Sequence, residues 1–125
     1  MKAETIAIGS ELLLGQIANT NAQIISKALQ DIGIDVYFHT CVGDNRDRII
    51  EVFSAAIKRS DLIILTGGLG PTIDDLTKET ISSYLKIPLE VDQHSLERIK
   101  KYFETHRIIM TKNNYKQVLM PKNAV

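Results

Sequence analysis

The sequence predicts an α/β fold: a three-layer α/β/α arrangement around a mostly parallel, doubly wound sheet. Three observations predict it. Short β-branched runs alternate with helical patterns along the chain. The run Leu62, Ile63, Ile64, Leu65 lacks the in/out alternation of a half-solvated strand. Glycine-bearing turns follow the strands where a parallel sheet gathers its strand-to-helix connections. The 125 residues suit one domain, 1–125, with no room for a second.

The first strand is read at 4–8, ended by Gly9. A helix follows with Ile24, Ile25, Ala28, Leu29 and Ile32 on one face; Thr20 and Gln23 have capping-box spacing at its start, and Gly33 supplies its stop. A second strand is read at 34–42, and Asp44 or Asn45 caps a helix whose Ile49, Phe53, Ala56 and Ile57 share a face. The third strand, 61–65, is placed at the centre of the sheet because its apolar run is unbroken. Beyond the glycine loop, Leu76, Thr80, Ile81, Tyr84 and Leu85 fit a third helix, which Pro88 separates from a fourth at about 93–103. From His106 onward the pattern weakens into two short apolar runs, 108–110 and 118–120.

Fifteen basic residues balance fifteen acidic ones, so no summed field directs the protein toward nucleic acid or an anionic membrane. Any anion site is local. The single cysteine, Cys41, cannot form an internal disulfide, and neither a signal peptide nor a long apolar run is present; a cytoplasmic setting is expected, with homo-oligomerisation. Cys41 reads as a small core residue, and His39, His94 and His106 have no spacing that makes a zinc site or a triad.

Parallel strands bring the turns after each of them to one edge: Gly9, Ser10 and Glu11; Gly43, Asp44 and Asn45; and the loop Thr66, Gly67, Gly68, Leu69, Gly70, Pro71, Thr72. In that loop, three glycines within four residues let backbone N–H groups approach an anion without Cβ obstruction, and a helix follows. The expected guest is a phosphorylated small molecule. The loop matches neither the P-loop nor the dinucleotide fingerprint. The plain alternative is that the glycines only shape a turn.

Asp74 and Asp75 would repel a phosphate, although Thr72 with Asp75 also has capping spacing. A divalent cation such as Mg²⁺ or Mn²⁺, held by Asp44, Asp74 and Asp75, removes the conflict, and makes these three the candidate catalytic and metal-binding residues. Ser10 and Glu11 sit at the same edge, and Asn19, Thr20 and Asn21 either reach ligand hydroxyls or cap the helix they precede.

Taken together, the Gly-Ser-Glu-Leu-Leu-Leu-Gly run from Gly9, Asn19-Thr20-Asn21, Val42-Gly43-Asp44-Asn45, and the glycine loop with Asp74-Asp75-Leu76-Thr77 resemble the N-terminal domain of the competence/damage-inducible CinA proteins. That domain belongs to the molybdopterin-binding group of MogA, MoaB and part of gephyrin. The resemblance continues through Asn114 and Gln117 to Pro121, while the chain ends before the last strands and the later glycine loop usual in such domains. It implies metal-assisted hydrolysis of a nucleotide pyrophosphate such as ADP-ribose, or binding of molybdopterin during cofactor assembly. A non-catalytic binding or regulatory domain is the third reading.

Overall fold

Lys2–Ile8 (β1), Asp35–Val42 (β2) and Leu62–Thr66 (β3) pair in parallel in the order β2-β1-β3. The computed structural model describes residues 1–125, which divide into two units, Met1–Gly68 and Leu69–Val125. In the first unit β1 is the central strand, and every residue from Ala3 to Ile8 is buried. The expectation that 61–65 lies centrally is corrected: β3 pairs with β1 alone and its residues are half-buried. A continuous apolar run signals average burial, not rank within the sheet. The strand that is covered on both flanks carries Glu4 and Thr5 in its middle.

Alternation along β1 defines the layers. Glu4 meets Arg59 at the end of the helix Arg46–Arg59 (α3), whereas Thr5 meets His39, which in turn reaches Ser26 in the helix Thr20–Asp31 (α2). Successive strand side chains point to opposite faces, so α2 and α3 cover opposite sides of the sheet. This is the expected helix, sheet, helix layering.

Both helices have defined starts. Asn19 Oδ1 accepts from the Ala22 amide and Asn45 Oδ1 from that of Arg48, each capping its helix. The cap of α2 is therefore Asn19 and not Thr20, one residue earlier than the capping-box spacing suggests. The buried stripe of α2 is also narrower than expected. Ala22 and Leu29 are buried and Ser26 faces the sheet, while Ile24 and Ile32 are 66% and 70% exposed. The helix lies chiefly over the edge strand β2, which covers only the stripe at positions 22, 26 and 29. A four-residue helix, Ser10–Leu13 (α1), follows β1 and is too short to leave a periodic pattern.

Glu4 is fully buried. Its carboxylate accepts from Arg59 Nε at 2.9 Å and Nη2 at 2.6 Å, from Ser60 Oγ at 3.0 Å and from Thr40 Oγ1 at 3.1 Å. The Arg59 guanidinium also stacks on Phe38, 3.9 Å from the ring centroid. A buried carboxylate needs this many donors to offset its lost hydration.

In the second unit Thr77–Leu85 (α4) leads into Leu89–Val91 (β4), Gln93–Thr105 (α5), a 3-10 turn at Lys112–Val118 and Leu119–Pro121 (β5). Strands β4 and β5 pair antiparallel, Glu90 opposite Met120, a departure from the parallel pattern that three-residue strands do not announce. Lys86 ends α4 in the left-handed region, and Asp92 caps α5 through the Ser95 amide. No helix is long and apolar enough to cross a membrane.

Candidate functional site

The first unit brings the three turn segments to one edge. The Gly9 amide donates to the Val42 carbonyl at 2.9 Å. The Ser10 amide donates to Asp44 Oδ2 at 2.9 Å, and the Asp44 amide returns a bond to Ser10 Oγ at 3.3 Å, which locks the turn after β1 to the turn after β2. The turn after β3 is pressed against β1. A Cβ built on Gly67 would lie 1.9 Å from the Ile8 carbonyl oxygen, and its φ of +85° is itself in the region that favours glycine. Gly68 follows with φ +61°. Two successive positive φ values bend the chain sharply off the end of β3, so the glycines are structurally required as well as suited to an anion.

A cleft of about 130 Å³ opens at this edge, lined by Glu11, Asn19, Thr20, Asn21, Thr66 and Gly67, with Ile8, Leu12, Ile17 and Ala18 as its apolar part. Four of the expected ligand-binding residues, Glu11, Asn19, Thr66 and Gly67, thus share one wall system although 56 positions separate the first from the last. The Glu11 carboxylate lies over Gly9, where a Cβ would meet Glu11 Oε1 at 2.6 Å. Asn19 is committed to structure at both ends of its amide: Oδ1 caps α2 and Nδ2 reaches Cys41 Sγ at 3.5 Å. The apolar lining was not foreseen, since Ile17 and Ala18 carry no chemistry of their own; their position between two polar motifs is the only signal.

A larger cleft, about 380 Å³, lies on the α3 side and is lined by Leu13, Thr40, Val42, Arg48, Val52 and Arg59 among others. Its one strongly fixed charge, Arg59, already neutralises Glu4, and the glycine turn takes no part in it. Size alone does not make it the better site.

The second unit holds Leu69, Gly70, Pro71, Thr72, Asp74 and Asp75. Asp75 does not cap α4, whose N-cap is Leu76 without a side-chain bond. Instead Asp75 Oδ2 accepts from the Thr72 amide at 2.9 Å and the Thr72 hydroxyl at 2.8 Å, closing a turn upon itself. The carboxylate packs on Gly70, where a Cβ would meet Oδ2 at 2.6 Å. Burial alone would raise the Asp75 pKa, but the bonds from the Thr72 hydroxyl, the Thr72 amide and the Gly70 amide, with the Lys116 ammonium nearby, hold it below the ordinary 3.8. Asp75 is a fixed anion. Asp74 is exposed.

Within neither unit do three or more His, Cys, Asp or Glu side chains gather as metal ligands. The carboxylates of Asp44, Asp74 and Asp75 are hard oxygen donors of the kind that Mg²⁺ and Mn²⁺ prefer. They fit such an ion in kind.

With the geometry in place, comparison with known proteins decides the family. The family model described as "Probable molybdopterin binding domain" matches residues 4–124. The chain belongs to that family, in its CinA branch. The protein CinA of Thermoplasma acidophilum, of unknown function, superposes with a TM-score of 0.84 at 35% identity, over 97% of this chain and 70% of that one. A competence-damage inducible protein of Halalkalibacterium halodurans is 56% identical over 99% of this chain. The chain spans 30% of that relative's length. The tungsten cofactor synthesizing protein MoaB of Pyrococcus furiosus shares the fold, with a TM-score of 0.64 at 24% identity, over 85% of this chain and 65% of that one. Molybdopterin-binding family membership and a CinA-type relationship are therefore established, along with the mostly parallel sheet flanked by helices.

Proposed function

We propose that this chain binds a phosphorylated heterocycle, of molybdopterin or nucleotide type, at the edge cleft of its first unit. The observation that carries this reading is the convergence of Glu11, Thr20, Asn21, Thr66 and Gly67 on one cleft at the C-terminal ends of parallel strands, the usual ligand edge of such sheets. The cleft has room for one moiety of a ligand and not for the whole of it. The positive-φ turn at Gly67 and Gly68 carries no side chain that would block the approach of a phosphoryl oxygen. Glu11, which as a carboxylate only accepts hydrogen bonds, suits a ring N–H or a sugar hydroxyl.

Calorimetric titration with ADP-ribose and, separately, with a molybdopterin precursor tests the proposal. One of the two is expected to bind. Gly68→Asn, which tolerates positive φ but places a side chain in the phosphoryl space, is expected to weaken binding at least tenfold while leaving the thermal midpoint nearly unchanged, the scale of losing one or two charge-assisted bonds. Affinity for neither ligand below millimolar, or equal affinity in the variant, overturns the reading.

One observation favours the hydrolytic form of the same function: Asp75 is held ionised, as a carboxylate must be to bind a divalent cation. In that form Asp75 and the exposed Asp74 beside it would help to hold a divalent cation, which would supply polarisation of a phosphorus atom toward water. Homo-oligomerisation, a cytoplasmic setting and independence from nucleic acid and membranes belong to this proposal.

A further inference from the structure

Lys116 belongs to no motif that the sequence singles out, yet its ammonium enters a cage of oxygens in the second unit. It donates to the Thr72 carbonyl at 2.6 Å and to the Asp75 carbonyl, and stands 3.9 Å from Glu79 Oε1. The two Glu79 carboxylate oxygens are closed off from solvent and accept no hydrogen bond, and they face the charges of Lys116, at 3.9 Å, and of Lys78. A shielded carboxylate and two carbonyls pointing at one spot make a cation site, and the chain fills it with its own lysine.

The neighbouring Lys78 fixes the segment from which Lys116 projects. Its ammonium donates to the carbonyls of Lys116, Gln117 and Leu119 at 3.0, 3.0 and 2.8 Å, using all three of its protons. Burial pushes its pKa down, with Lys116 adding to the effect and Glu79 opposing it. Helix α4 thus holds the 3-10 turn through Lys78, and the 3-10 turn holds the Thr72 to Asp75 turn through Lys116.

We propose that Lys116 is a positioning residue: its tethered ammonium stands in for a bound monovalent cation and sets the conformation of the turn that presents Asp75. The two carbonyls it binds belong to Thr72 and Asp75, the residues whose amide and carboxylate pair with each other. Losing the ammonium leaves those two carbonyls without their donor and Glu79 with Lys78 alone, which loosens the turn. The functional consequence rests on the hydrolytic reading above, in which Asp75 acts; the structural claim does not.

The test is hydrogen exchange and chemical shift of the Thr72 amide, which the Asp75 carboxylate holds, in Lys116→Ala, with n-propylammonium supplied to replace the lost carbons and nitrogen. Protection of that amide is expected to fall about tenfold in the variant and to return toward wild type with n-propylammonium but not with n-propanol. Unchanged protection, or equal rescue by the alcohol, overturns the proposal. Should Lys116→Ala fail to fold, Lys116→Gln keeps a donor without the charge; it is expected to fold with the Thr72 amide less protected, and unchanged protection there is equally fatal. Lys122→Met removes a cation that pairs with exposed Glu90 and should leave the Thr72 amide unchanged. A loosened turn in a protein whose wild type shows no ADP-ribose turnover counts against the hydrolytic reading and not against Lys116.

Discussion

Replacing Gly67 with alanine is expected to cost about 3 kcal/mol or more and to lower the thermal midpoint by roughly 10 °C or more. Two independent penalties combine. The new Cβ would lie 1.9 Å from the Ile8 carbonyl oxygen, far inside contact distance, and the φ of +85° is strained for any residue with a Cβ. Neither atom can move cheaply, because Ile8 is the last residue of the buried central strand and its neighbour Gly9 is bonded to Val42. A thermal melt followed by circular dichroism measures the loss. Survival of the variant within a degree or two of wild type would show that the turn after β3 does not press on β1. The same result would remove the reason for calling this glycine structural.

The second large effect is expected at the Glu4–Arg59 pair. Arg59→Met should lower the thermal midpoint clearly, because it leaves a fully buried carboxylate with only the Ser60 and Thr40 hydroxyls. The pH dependence has a definite sign. In the wild type the Arg59 hydrogen bonds, against the opposing effect of burial and with help from Ser60 and Thr40, hold Glu4 below its ordinary 4.5. A depressed carboxylate pKa gives stability that is present above the unfolded value and lost as pH falls through the folded one. In Arg59→Met burial dominates, so the folded pKa rises and the sign reverses: protonating Glu4 then favours the fold, and the deficit of the variant against wild type narrows as pH falls. Urea melts across pH 3 to 7, a range set about the ordinary carboxylate value, measure both effects. An unchanged acid limb would mean that Glu4 is not ionised in the wild-type fold.

These two sites mark the boundary of what sequence reading reaches. The strands β1, β2 and β3 and the helices α2 to α5 are legible because periodicity and caps act within a few residues, as the Asn45 cap shows. The gathering of turns 9–11, 43–45 and 66–67 at one sheet edge is legible too, since parallel topology alone brings them together. The edge position of β3 is not, because composition cannot say which neighbour a strand takes. Glu4 looks like an ordinary charged residue at a strand start, and its partner is 55 positions away. Nothing local marks Lys78 and Lys116, because it is tertiary structure that turns both inward onto carbonyls. Strand β4 leaves no local signal, and β5 shows only as the short apolar run 118–120, because strands of three residues are too short for a period.

The location of the ligand is tested most directly by amide chemical-shift mapping of the ¹⁵N-labelled chain as ADP-ribose or a molybdopterin precursor is added. The shifts are expected to concentrate at Glu11, Thr20, Asn21, Thr66, Gly67 and Gly68, at the edge cleft. Saturable shifts centred instead on Arg48, Val52 and Ala55, the α3 side of the larger cleft, or no saturable shifts with either ligand, would contradict the account.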